Sequence, residues 1–220
     1  VKKFTYSGID ENVKKILDDA KYQLLWIPYD KFENIKEVGK GGFATVYCAD
    51  CRIDYKDSYS NNSYAFKIIH DQGFFDELKA FCEIGYKNPS FLRCYGLSRD
   101  NSGNYILILH YAKKGSLRDN LRQVSQMKWE KKLNLLSCIT SDIEAIHSQG
   151  YVHKDLHSGN ILQDDLDNAY IVDLGLTIVQ KDPDHNRYTS KSINTQEITK
   201  ALSKTTIVSA PIDEVEIPEE

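Results

Sequence analysis

Residues 151–173 read YVHKDLHSGNILQDDLDNAYIVD and set His153, Asp155, Asn160 and Asp173 in one short segment. An Asp followed five residues later by Asn, then an apolar run and a second Asp in DLG, is the pattern a phosphoryl-transfer site needs. Asp155 can orient a nucleophilic hydroxyl. Asn160 and Asp173 offer hard oxygen ligands to Mg²⁺ that bridges the phosphates of ATP.

Working outward, the long stretch before this loop, residues 129–149, carries Leu133, Leu136, Ile139, Ile143 and Ile146 at helical spacing and stops at Gly150, a suitable C-cap. Ser116 is placed to N-cap LRDNLRQV. Upstream, residues 92–97 and 105–110 read as two strands of a hairpin across the Asp-Asn-Ser-Gly turn. FFDELKAFCEIGY, residues 74–86, clusters its apolar side chains on one side of a helix, with Glu77 placed to meet Lys67 and Glu83 as the second choice. Lys67 itself sits inside the apolar strand SYAFKIIH, where a buried ammonium needs an anionic partner unless it snorkels to solvent. Residues 54–63 read as a polar surface loop.

Residues 32–50 read as strand, turn, strand around GKGGFA. Gly39, Gly41 and Gly42 let backbone N–H groups approach phosphate oxygens, and Val46 is placed to cover an adenine ring. A plain tight β-turn needs the same residues, so this hairpin alone decides nothing. Residues 9–26 carry apolar positions at helical spacing up to the break at Pro28, which predicts one amphipathic helix packed on the domain behind it.

Composition bounds the function. With 220 residues, 41% apolar and 27% charged, the chain has material for one or two domains with a core. A net charge of −4 with scattered Lys pairs argues against nucleic-acid binding. No apolar run approaches the roughly 18 residues of a membrane span. The five cysteines form no zinc-type double pair, which fits reduced thiols in a cytoplasmic protein.

Taken together and in order, these segments resemble a protein kinase domain. Its catalytic loop H-R-D-L-x-x-x-N and its D-F-G are here HKDLHSGN and DLG, and the glycine loop, the lysine strand, the glutamate helix and the long helix follow the same order over residues 33–175. GKGGFATVY, YGLS and GSLRDNL are most similar to the tyrosine-kinase-like group, and the lead-in WIPYDKFENI is similar to kinases of that group from certain fungi. The resemblance implies an α+β, bilobal fold with a β-rich N-lobe and a partial helical C-lobe. It divides the chain into a lead-in at 1–31, a kinase-like domain at 32–175 and a polar, largely disordered tail at 176–220.

It also implies roles. Asp155 would orient a protein hydroxyl, Asn160 and Asp173 would hold Mg²⁺, and Lys67, backed by Glu77, would clamp the ATP phosphates under Gly39, Gly41 and Gly42. Val46, Ala65 and Leu162 would enclose the adenine, Leu109 would border the back of its pocket, and the backbone of His110 and Ala112 would bond its edge. Phe81, Tyr95, His153 and Leu174 would stack as an apolar column between the lobes.

Departures qualify this. The third loop glycine is Ala44, and Lys154 replaces the Arg that pairs with a phosphorylated activation loop. His157 stands where serine/threonine kinases carry Lys, which leaves the substrate and its hydroxyl class open. After DLG the remaining 45 residues are polar, with a short helix expected at 196–202 and a faint A-P-E echo at Ser209-Ala210-Pro211. That tail resembles an extension joined directly behind DLG, and the lower lobe is expected to have an incomplete core. A kinase-like module that binds ATP or a partner without efficient transfer is the alternative. A small-molecule phosphotransferase, whose loop HxDLHxGN also resembles, fits DLG and GSLRDNL less well.

Overall fold

Helix α1, Glu11–Asp18, begins where the Asp10 carboxylate accepts the Asn12 N–H at 2.8 Å and buries Val13 and Leu17, one turn apart. The helix expected over 9–26 is therefore much shorter. Asp19 turns extended, Gln23 takes a left-handed φ of 52°, and Leu25–Trp26 form a strand, β1. The reason lies in periodicity: Leu24 and Trp26 pack on one apolar cluster while Leu25 and Ile27 pack on the other, a period of two. The computed structural model describes residues 8–41, 44–51, 62–69 and 73–179, all inside the unit Val1–Lys181.

The next strands are β2, Phe32–Lys40, β3, Ala44–Cys51, and β4, Asn62–Ile69. Helix α2, Phe74–Lys87, separates these from β5, Cys94–Arg99, and β6, Tyr105–His110. The sheet order is β1-β5-β6-β4-β3-β2, antiparallel except for the β1–β5 pair. A Cβ at Gly96 would run into the Leu25 carbonyl, so glycine is what lets β1 lie alongside β5. Asn62 and Ser63, read in sequence as loop, already belong to β4.

Alternation of side chains gives the sheet two unlike faces. Ala65, Ile69, Leu107 and Leu109 join α2 in the main core, whereas Tyr64, Phe66, Ile106 and Ile108 form a second cluster with Phe32 and Ala49. Simple alternation would put Tyr95 on the face of Leu97. A β-bulge between Cys94 and Gly96 reverses this: Cys94 packs on the main core, and Tyr95 stacks edge-on against Tyr64 at 5.1 Å in the second cluster. Tyr95 is therefore not a member of the interlobe column, while Phe81, Leu174 and His153 are buried as expected.

Below the sheet, β7, Gly115–Ser116, leads into α3, Leu117–Ser125, capped by the Ser116 hydroxyl as expected. Helix α4, Trp129–Ser148, ends before Gly150, whose φ of 75° is a left-handed conformation that glycine adopts without strain. Strands β8, Tyr151–Val152, β9, Ile161–Gln163, β10, Ala169–Ile171, and β11, Ile178–Val179, complete the fold. They pair as β10-β9-β7 and β11-β8. Among the described residues no helix is long and apolar enough to cross a membrane. Gly42, most of the 54–63 loop, the expected helix at 196–202 and all but the first few residues of the 176–220 tail lie outside the described residues.

On α4 the buried face is rotated from the predicted stripe. Ile146 is buried and Ile139 and Ile143 lean on the core, but Leu133 and Leu136 are about half exposed, at 48% and 51%. Leu135, Asp142 and Ala145 turn inward instead. The polar member of that set has a cause: the Asp142 carboxylate accepts the Ile171 N–H of edge strand β10 at 2.8 Å. Burial pushes the Asp142 carboxyl up to about 7, against the lowering by that hydrogen bond. A folded pKa above the unfolded value means the native state holds the extra proton, so stability falls as pH rises from about 4 to about 7. We expect Asp142→Asn, which keeps the acceptor without the charge, to be more stable than the parent chain at pH 8 by about 1–3 kcal/mol. The two should converge at pH 4 in urea denaturation.

Candidate active site

Lys67 comes from β4, two residues after Ala65, so both side chains leave the sheet on the same face. Glu77 comes from the first turn of α2, and Asp173 from the turn after β10. The Lys67 Nζ lies 2.6 Å from Glu77 Oε1 and 2.7 Å from Asp173 Oδ1. Glu77 is 2% exposed and the Lys67 side chain 10%, so each depends on the other for its charge. Burial alone would pull the Lys67 pKa down, but Glu77 and Asp173 outweigh it and hold the ammonium above its ordinary value. Snorkelling is thereby excluded for Lys67. Glu83, the second choice, is engaged elsewhere: it accepts from the Tyr151 hydroxyl at 2.6 Å. Gly175 keeps room for the pair, since a Cβ there would stand 3.3 Å from Glu77 Oε2.

The loop that carries Asp155 is held by a buried histidine. His153 Nε2 donates to the Val172 carbonyl at 2.8 Å, which leaves Nδ1 to accept the Asp155 N–H at 3.3 Å. Val172 N–H in turn donates to the Asn160 carbonyl at 3.0 Å, tying this loop to the turn at Asp173. Two non-glycine residues here are left-handed, Lys154 with φ 63° and Asp173 with φ 65°. Such conformations persist only where surrounding contacts over-determine them; Lys154 precedes Asp155, and Asp173 is itself a site carboxylate.

Asn160 Nδ2 donates to the Asp155 carbonyl at 3.0 Å and to Asp155 Oδ2 at 3.3 Å. The amide orientation this requires leaves Asn160 Oδ1 without a partner among the described residues, as is Asp173 Oδ2, whose sister oxygen holds Lys67. Two hard oxygens therefore remain for a divalent cation. Among the described residues no group of three or more His, Cys, Asp or Glu could hold a metal. The pair suits Mg²⁺, which takes one or two protein oxygens and completes its shell with phosphate and water.

One cleft of about 750 Å³ collects these groups. Gly39, Val46, Ala65 and Lys67 line it from the sheet, Gly41 from the turn after β2, Glu77 from α2, Leu109 and His110 from the end of β6 and Ala112 from just beyond it. Asp155, Asn160, Leu162 and Asp173 close it from below. Every described residue expected at the site is thus brought together. Gly41 N–H donates to the Ala44 carbonyl at 2.8 Å, so the described ends of the glycine turn form a tight hairpin. Ile69, Tyr111 and Val172 also line the cleft and were missed. Ile69 was legible, being two residues beyond Lys67 on the same strand face.

The arrangement can bind a flat apolar ring between Val46, Ala65 and Leu162, and an anionic chain at Lys67. Its divalent-cation oxygens and a carboxylate at Asp155 lie at the same end. The family described as "Protein tyrosine and serine/threonine kinase" matches residues 32–200. The chain is 29% identical to a leaf rust 10 disease-resistance locus receptor-like protein kinase of Arabidopsis thaliana, over 71% of its own length and 24% of that protein's. It is 30% identical to the serine/threonine-protein kinase PLK4 of Drosophila willistoni, covering 73% of this chain and 21% of that one. With the interferon-induced, double-stranded RNA-activated protein kinase of Mus musculus the figures are 31%, 77% and 37%. The chain thus spans well under half the length of these relatives.

Loss of Glu77 strands charge in the interior, whereas loss of Glu83 removes one hydrogen bond. We expect Glu77→Ala to cost about 3 kcal/mol and Glu83→Ala about 1 kcal/mol in chemical denaturation. The reverse ranking would contradict the buried pairing.

Proposed function

The chain belongs to the protein tyrosine and serine/threonine kinase family, and from that premise we infer that it transfers the γ-phosphoryl group of ATP, with Mg²⁺, to a hydroxyl of a protein. The observation that carries this reading is the Lys67 ammonium shared between Glu77 and Asp173 in the same cleft as Asp155 and Asn160. A purely structural ion pair would not need a second carboxylate that is 48% exposed toward the cleft.

In this reading the adenine sits between Val46, Ala65 and Leu162, with its edge on the backbone of His110 and Ala112 and with Leu109 behind it. Gly39, Gly41 and Gly42 cover the phosphates, and Lys67, kept in place by Glu77, holds them. Asn160 and Asp173 are the residues for Mg²⁺, which when bound neutralises the phosphate charge and steadies the leaving group. Asp155 accepts the proton of the substrate hydroxyl through Oδ1, which has no partner among the described residues. The hydroxyl oxygen forms its bond to the γ-phosphorus as the bond from that phosphorus to the β-phosphate oxygen breaks. The electron pair leaves with ADP.

The working domain is then 32–175, with 176–220 a tail, and the glycine loop and GSLRDNL support a place in the tyrosine-kinase-like group. Five free cysteines, two of them buried and none bridged, support a reducing, cytoplasmic setting.

ATP should raise the melting temperature of the chain, and more so with Mg²⁺, while Lys67→Met should remove the shift. Phosphoryl transfer, read with labelled ATP as autophosphorylation or onto casein, should vanish in Asp155→Asn with nucleotide binding kept. Binding without any transfer by the parent chain would favour a nucleotide-binding module instead. No shift in folded protein would defeat the ATP site.

A further inference from the structure

His157 is exposed beside Asp155 and Gly159, which line the cleft, and its ring is tied on one side. Its Nδ1 accepts the Gly159 N–H at 2.9 Å and faces Arg118 Nη2, of helix α3, at 3.2 Å. A guanidinium and a backbone N–H can only donate, so Nδ1 is the acceptor and a neutral ring carries its proton on Nε2. The Nε2 so protonated lies 3.7 Å from Asp155 Oδ2, just beyond hydrogen-bond distance. The packing is specific to glycine at the next-but-one position: a Cβ on Gly159 would stand 2.8 Å from the His157 ring and 3.1 Å from the Arg118 guanidinium.

We propose that His157 is a positioning residue for the phosphoryl-transfer step, set in one tautomer by Arg118 and Gly159 so that its Nε2–H holds one oxygen of the Asp155 carboxylate. The proposal rests on the kinase reading of the cleft. Asp155 Oδ2 then lies between two donors, Asn160 Nδ2 at 3.3 Å and His157 Nε2 at 3.7 Å. With Oδ2 so occupied, Oδ1 is the oxygen turned to the incoming hydroxyl. The 3.7 Å contact closes to a hydrogen bond when substrate fills the cleft, as contacts of catalytic groups commonly do. A small rotation of either side chain suffices, because both are more than two-fifths exposed, at 42% and 43%. Arg118 acts at one remove: its bond is to the His157 ring, and it works by deciding which nitrogen of His157 bears the proton.

Two amide substitutions separate this role from a structural one. Gln places an N–H₂ near the position of Nε2, whereas Asn places its amide near Nδ1 and can still accept the Gly159 N–H. With Mg²⁺-ATP and casein as acceptor, His157→Asn should lower kcat about tenfold to a hundredfold, with KM for ATP within about twofold. His157→Gln should stay within about threefold of the parent chain. Thermal stability should order the other way, Asn above Gln. His157→Asn turning over as fast as, or faster than, His157→Gln would overturn the proposal.

A second readout needs no turnover. Two-bond ¹H–¹⁵N correlation of the imidazole rings, with His157 assigned by its loss in His157→Gln, should show the Nε2–H tautomer. Its Nε2 resonance should move in Asp155→Asn. An Nδ1–H tautomer, or an Nε2 resonance indifferent to Asp155, would overturn the assignment. A parent chain that transfers no phosphate defeats the kinase reading, and the spectra still decide the tautomer and its contact with Asp155.

Discussion

The Lys67 ammonium holds three parts of the chain at once. It leaves strand β4, meets a carboxylate from helix α2 at 2.6 Å and another from the turn after β10 at 2.7 Å. Removing a charge from water is costly unless it is paired, so burying this lysine obliges α2 to approach the sheet with Glu77 inward. The turn at Asp173 must come up from below to complete the set. The apolar residues around it serve the same geometry: Leu78, Phe81 and Leu174 are essentially inaccessible and fix the distances among sheet, helix and turn. A cleft with the ammonium at its inner end, and beside it oxygens without a partner among the described residues, follows from this packing.

The second constraint is backbone strain at the loop. Lys154 and Asp173 both take left-handed conformations, and His153, buried and bonded on both ring nitrogens, joins the segments that carry them. His153 and His157 flank Asp155 two residues to either side, each with a nitrogen committed to a backbone N–H. The first fixes where the loop lies. The second bears on how the carboxylate is turned.

Much of this was legible in the sequence because it depends on local rules. The alternation of Ala65, Lys67 and Ile69, the cap at Ser116 and the stop at Gly150 need only strand period and turn chemistry, and HKDLHSGN with DLG names its own residues. What escaped depends on partners far along the chain. Residues 24–27, LLWI, fit a helix or a strand equally well, and only the bare Cα of Gly96 makes room for a strand there. Tyr95, expected in the interlobe column, faces the second cluster because a bulge between Cys94 and Gly96 reverses the alternation. Asp142 turned inward on α4 to serve an edge N–H of β10, 29 residues away, a demand no helical periodicity records. His157 was visible as a substitution, but its tautomer required Arg118, 39 residues upstream.

On the proposed function, Lys67 and Asp173 act as a unit on the phosphates of ATP and their Mg²⁺. Calorimetric titration of Mg²⁺-ATP into the parent chain, Lys67→Met, Asp173→Asn and the double variant tests it most directly. Each single change should weaken binding at least about tenfold, and the double variant should be little worse than either, since coupled groups in contact are not additive. Full additivity of the two losses, or unchanged affinity in Lys67→Met, would contradict it.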